Sequence, residues 1–209
     1  MKTKLRNTLL ALAILVVADT SFGAVIFTND ITDANPSASN PFTTGQTFDT
    51  NITVSGIGRG AGANANAGSN RYNANSWNTA AIDLTAYFTF TLTPNTGYEI
   101  DFTNFVYTSQ ASNASISSFA FRSSLDSFGS DIGTPTVTGA TIDLSASPFQ
   151  DISAPIEFRF YAWGADTSTR TFSINDFTFN GNVTAIPEPS RALLLGLGSI
   201  GLIFRRRRQ

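Results

Sequence analysis

Hydrophobic and polar positions alternate with a period of two in several short stretches of the chain. In 156–163, Ile156, Phe158, Phe160 and Ala162 fall on one side of an extended strand, and Glu157, Arg159, Tyr161 and Trp163 on the other. In 86–93, Phe88, Phe90 and Leu92 alternate with Thr89, Thr91 and Thr93, and Pro94, Asn95, Thr96 and Gly97 follow with turn chemistry, which predicts a hairpin to the next strand. The pattern predicts strands over 25–28, 52–56, 86–93, 98–108, 117–123, 136–144, 156–163 and 171–179. Within 171–179 the apolar phase changes between Ile174 and Phe177, so a bulge is expected near Asn175 and Asp176. Short strands separated by turns, with no helical periodicity between them, point to an all-β fold, a β-sandwich. The stretch 56–76 is rich in Gly and Asn and reads as a long surface loop, and its GIGRGAG run lacks the strand–helix context of a nucleotide site.

Two segments break the alternation, one at each end. Residues 1–23 carry Lys2, Lys4 and Arg6, then an apolar stretch 9–18, then small residues at Ser21 and Gly23. That order is a secretory signal peptide with cleavage between Gly23 and Ala24, its apolar part being too short to span a bilayer. Residues 186–209 join Pro187, Glu188 and Pro189 to an apolar run over 192–204 and to Arg205, Arg206, Arg207 and Arg208. The prolines exclude the tripeptide from helix interior and sheet, leaving it extended and exposed. The run would form a hydrophobic helix of about 20 Å, against a hydrocarbon core of about 30 Å. The four arginines act as a membrane stop signal and hold their end on the cytoplasmic side. The expected organisation is therefore a signal helix (1–23), a β-sandwich domain (24–185) and a C-terminal sorting segment (186–209).

Composition narrows the chemistry of the middle part. The chain has no Cys and no His, which removes disulfides, Cys/His zinc sites, Cys nucleophiles and Ser-His triads. Its 18 Phe supply a core without staples. Between Ala24 and Ala185 the only cations are Arg59, Arg71, Arg122, Arg159 and Arg170, while all of the 15 carboxylates except Asp19 and Glu188 lie there. The body is acidic, which repels nucleic acid and anionic lipid and suits contact with cations or neutral sugars.

The ordered tail of Pro187-Glu188-Pro189, apolar segment and Arg205 to Arg208, behind a signal peptide, resembles the PEP-CTERM sorting signal of exported bacterial proteins. The resemblance implies an exosortase-type membrane protease as partner. That enzyme would recognise Pro187, Glu188 and Pro189, remove the tail and pass the body from a membrane-held precursor to the cell envelope, surface or extracellular matrix. The body, through SGIGRG (55–60), SNRYNANSW (69–77), FRSSLDSF (121–128), FRFYAWGA (158–165) and FSINDFTFNG (172–181), is similar to the β-sandwich domains such proteins carry. The last segment resembles the closing strand of jelly-roll carbohydrate-binding modules, in which an aspartate follows an isoleucine. Here Asn175 stands between Ile174 and Asp176. The fold implied is a jelly-roll sandwich, and the function a non-catalytic structural or adhesive one. The alternative is a module that binds exopolysaccharide.

The body offers residues for three kinds of site. Sugar binding needs exposed aromatic faces, for which Trp77, Tyr161 and Trp163 are the candidates, against the plainer reading that both tryptophans pack into the sandwich. Glycoside hydrolysis needs two carboxylates across a cleft. Glu99, Asp101, Glu157 and Asp176 are the strand-borne acids, but Glu99 and Asp101 are too local a pair, and no catalytic residue is assigned. No cofactor or metal site is assigned either. Structural calcium would draw on Asp30, Asp33, Asn35 or Asp176, which lack EF-hand spacing and read more plainly as turn formers. Asn-x-Ser/Thr occurs at Asn51, Asn113 and Asn182, unsurprising in a chain so rich in Asn and Thr.

Overall fold

In the computed structural model, residues 23–113 and 116–187 are described. The helices expected for the signal and the tail lie outside them. Among the described residues no helix is long and apolar enough to cross a membrane, and the only helical pieces are three single 3₁₀ turns.

Among the described residues eleven strands follow one another: β1 Ala24–Asn29, β2 Thr47–Phe48, β3 Ile52–Arg59, β4 Asn64–Ala65, β5 Tyr72–Asn75, β6 Tyr87–Pro94, β7 Tyr98–Ala111, β8 Ser118–Ser123, β9 Gly139–Asp143, β10 Ile156–Trp163 and β11 Phe172–Ala185. They form two antiparallel sheets. The four-stranded sheet runs β3-β6-β10-β8. The seven-stranded sheet is built on β11, which pairs with β7 along its whole length on one edge. Its other edge is shared by β1, opposite Phe177 to Gly181, and β5, opposite Phe172 to Ile174. β2, β4 and β9 complete the margins.

The sheets pack face to face through phenylalanines supplied by the predicted alternation. Phe105 of β7 stacks on Phe121 of β8, centroids 4.6 Å apart, and Phe121 stacks on Phe158 of β10 at 5.3 Å. Phe90 of β6 meets Phe177 of β11 edge-on at 4.8 Å. Such ring pairs add about 0.5–1.5 kcal/mol each beyond the area they bury, which suits a core that has no disulfide. The architecture is a β-sandwich.

The bulge expected near Asn175 and Asp176 is present as a register shift between Ile174 and Asp176, and a second shift falls between Asn180 and Gly181. Two expectations are corrected. The turn at Pro94 to Gly97 exists, with Gly97 at φ +85, but it does not close a hairpin. β6 joins the four-stranded sheet and β7 the seven-stranded one. Each strand carries an apolar face that needs covering, and placing them in opposite sheets lets Phe90 and Phe105 meet at 5.3 Å across the core.

The segment 56–76 is likewise no loose loop. It holds the end of β3, β4 and β5, and Tyr72, Asn73 and Ala74 are buried. Glycine permits this, because a Cβ at Gly60 or Gly62 would collide with the backbone of Thr85, against which the segment lies.

Candidate functional site

The outer face of the four-stranded sheet carries a cluster of charged and aromatic side chains. β10 projects Glu157, Arg159 and Tyr161 there, with Thr89 and Arg122 flanking Arg159, and Tyr87 and Ala120 flanking Tyr161. The Arg159 guanidinium lies between two rings, 4.2 Å from the centroid of Tyr87 and 3.8 Å from that of Phe128. Its Nε donates to Glu157 Oε1 at 2.7 Å, and Thr89 Oγ1 donates to the same oxygen at 2.9 Å. Arg122, directly opposite, would repel Arg159 if unpaired. It instead binds Asp131 Oδ1 through Nε at 2.6 Å and the Phe128 carbonyl through Nη1 at 3.0 Å. The second bond fixes the loop that carries Phe128 over the sheet, where Ser127 and Phe128 both have positive φ. Burial is the largest single influence on Arg159 and would lower its pKa, but Glu157, Tyr161 and Tyr87 together outweigh it and the net shift is upward.

Of the three aromatic residues considered for sugar binding, only Trp163 is partly exposed. Trp77 is fully buried; its Nε1 donates to the Ala74 carbonyl at 2.8 Å and its ring meets Phe88 edge-on at 5.4 Å. Tyr161 is also fully buried, edge-on to Tyr87 at 5.6 Å. Its hydroxyl makes no hydrogen bond of good geometry, and burial raises its pKa while the adjacent Arg159 guanidinium, through contact and charge, opposes that rise. The expectation of a sugar platform made by Trp77, Tyr161 and Trp163 is therefore corrected: two of its three faces are closed to a ligand. The apolar anchor that β5 needs takes the first, and the Phe128 loop helps cover the surroundings of the second.

The carboxylates do not meet across a cleft. Glu157 lies on the outer face of one sheet, whereas Glu99, Asp101 and Asp176 belong to the other. Asp101 Oδ1 accepts the Asp151 N–H at 2.8 Å, and Asp176 accepts from Thr108 Oγ1. Among the calcium candidates, Asp33 Oδ1 accepts the Asn35 N–H at 3.3 Å as in a turn, and Asp30 is exposed. Among the described residues no three acidic side chains gather as a metal cage would require.

Sequence reasoning did not single out Tyr87, Arg122 and Phe128, nor the groove beside them. This groove, of about 430 Å³, is lined by Leu125, Asp126, Asp131, Ile132, Asp143 and Phe149 among others. Hydrogen bonds, chiefly from the side chains of Ser130 and Ser145 respectively, hold the carboxyls of Asp126 and Asp143 below their ordinary pKa. The i, i+2 acid–base pair at Glu157 and Arg159, followed by aromatics, was the one sequence signal pointing to this surface. The loop residues covering it have no periodic signature.

The two termini of the sandwich meet at one end of it. Ala24 pairs with Gly181 at the start of β1, and Gly23 packs against Thr103 and the Gly181 backbone. β11 ends at Ala185, paired with Tyr98, and the Ile186 N–H then donates to the Gly97 carbonyl at 2.8 Å. Pro187 is exposed, while Glu188, Pro189 and Arg205 to Arg208 lie outside the described residues. No family model matches the chain, and no curated protein and no solved structure matches it either.

Proposed function

We propose that the protein is an exported surface or extracellular-matrix protein, delivered by an exosortase-type membrane protease and acting as a non-catalytic structural or adhesive module. The observation that carries this reading is the order of Pro187-Glu188-Pro189, apolar run and Arg205 to Arg208 behind a signal-like start. The domain boundaries support it. Among the described residues the first strand begins at Ala24, where signal cleavage is expected, and the last ends at Ala185, just before the tripeptide. A body cut at both places keeps every strand of the described residues. The aromatic core without cysteine suits a protein that must hold together outside the cell with no redox partner.

Within this reading the sandwich is of jelly-roll type. Consecutive strands from β5 to β11 alternate between the sheets, and the last strand returns beside the first, as in a Greek key. The module partners cell-surface matrix or exopolysaccharide and touches the membrane only as a precursor held by its C-terminal segment. Sugar recognition as the main activity is the weaker alternative, because it retains Trp163 alone of its aromatic candidates.

The test is the fate of the tail in the host that makes the protein. Changing Glu188 to Ala should leave an envelope-bound precursor with its arginines still attached. Unaltered processing and location of that variant would remove the basis of the proposal.

A further inference from the structure

On the sorting reading just given, the body itself takes part in recognition. We infer that the end of the sandwich from which the tail leaves is a docking face for the membrane-embedded processing enzyme. Its partner surface should be apolar and positively charged.

The first argument is reach. Ile186 is fastened to Gly97 by a backbone hydrogen bond of 2.8 Å. Glu188 follows two residues later, and two residues of extended chain span about 7 Å. No linker separates the folded body from the motif, so an enzyme that engages Pro187-Glu188-Pro189 must also touch the strands beside it.

The second argument is the character of that end. Among the described residues, five large hydrophobic side chains are notably exposed: Val25 at 55%, Phe48 at 44%, Leu84 at 57%, Leu125 at 47% and Ile186 at 40%. All but Leu84 lie in the half of the sandwich where the tail leaves. Val25 pairs with Asn180 and Phe48 with Phe27, Leu125 follows the end of β8 that adjoins the start of β10, and Ile186 is the exit itself. Leu84 precedes β6, at the opposite end.

Charge is uneven as well. Asp49, Glu99, Asp101, Asp126 and Asp151 lie in the tail half. In the other half Arg59, Arg71 and Arg170 stand among Asp30, Asp33, Asp83, Asp166 and Asp176, so the larger negative excess is at the tail end. The cations nearer the acidic end, Arg122 and Arg159, are engaged by Asp131 and Glu157. Anionic lipid headgroups would repel such an end, whereas a basic protein surface would attract it. This selects the enzyme over the bilayer surface as occupant.

Glu99 is the residue to change, since it pairs with Thr184 on the outer face of the seven-stranded sheet, two residues before the exit. Removal of the tail would be followed over time in the native host by mass spectrometry, for the full chain and for Glu99→Lys. Both would also be made with a flexible Gly/Ser insert of about ten residues between Ile186 and Pro187, long enough to uncouple the body from the motif. Glu99→Lys should slow removal roughly fivefold in the uninterrupted chain, the scale of one exposed charge pair, and have little further effect once the insert is present. An unchanged unfolding midpoint shows that the variant is folded.

Removal of the tail at the unaltered rate in Glu99→Lys would overturn the docking face. So would equal slowing with and without the insert. A wild-type chain that keeps its tail would remove the sorting reading, and the docking face with it, a failure visible before any variant is made.

Discussion

Replacing Trp77 gives the sharpest test of how the sandwich is held together. The side chain is fully buried, edge-on to Phe88 at 5.4 Å and to Phe172 at 6.3 Å, with its N–H on the Ala74 carbonyl at 2.8 Å. It therefore clamps β5 to both sheets. Removing a buried Trp side chain in favour of Ala costs about 3–5 kcal/mol, lost transfer energy and cavity together. A domain of this size has about 5–15 kcal/mol in total, so Trp77→Ala leaves it marginal. With a urea dependence of about 2 kcal/mol/M, the midpoint should fall by about 1.5–2.5 M. Trp77→Phe keeps most of the ring and loses the hydrogen bond, and should fall by about half as much. Trp163, the other tryptophan, remains as the fluorescent reporter of urea unfolding in both variants. A midpoint for Trp77→Ala within about 0.3 M of the unaltered protein would refute the reasoning, because a ring that costs nothing to remove is not in the core.

The outer cluster should respond to the shape of its cation as well as to its charge. Arg159→Lys keeps the charge but not the plane between Tyr87 and Phe128, so it should lose about 1–2 kcal/mol in the same urea assay. Tyr161→Phe deletes a buried hydroxyl that makes no hydrogen bond of good geometry and only grazes Arg159, so stability should change by less than about 1 kcal/mol. Alkaline pH should unfold the protein through Tyr72 and Tyr107. Burial pushes both phenols up to about 12 from the ordinary 10, against opposing contributions from Arg59 and Thr136 respectively. The folded state thus holds their protons more tightly than the unfolded one. Stability is full below pH 10 and is lost as pH rises through the interval from 10 to 12, measurable by phenolate absorbance alongside circular dichroism. Tyr72→Phe should flatten that decline in part.

Much of the core could be read from alternation alone. Ile156, Phe158 and Phe160 face inward as the period of two requires, and the phase change between Ile174 and Phe177 marked a real bulge. Sheet membership could not be read this way. Turn chemistry at Pro94 to Gly97 fixes a sharp reversal, but whether two strands pair or separate depends on which arrangement covers both apolar faces. That is a property of the whole core and not of the turn.

Composition misled at 56–76, where many glycines suggested a solvated loop. Close backbone approach at Gly60 and Gly62, with Tyr72 and Trp77 as anchors, makes the same residues part of the interior. The outer cluster was half visible, through Glu157 and Arg159. Its lid depends on Phe128, brought there by a loop whose two successive residues of positive φ leave no pattern in sequence.

The proposed delivery to the surface requires that the tail be removed. The direct measurement is intact-mass and terminal-peptide mass spectrometry of the protein isolated from the surface or matrix of its native host. The expected result is a chain that starts at Ala24, retains the strand ending at Ala185 and lacks Arg205 to Arg208. A surface-located chain that still carries those four arginines would contradict it.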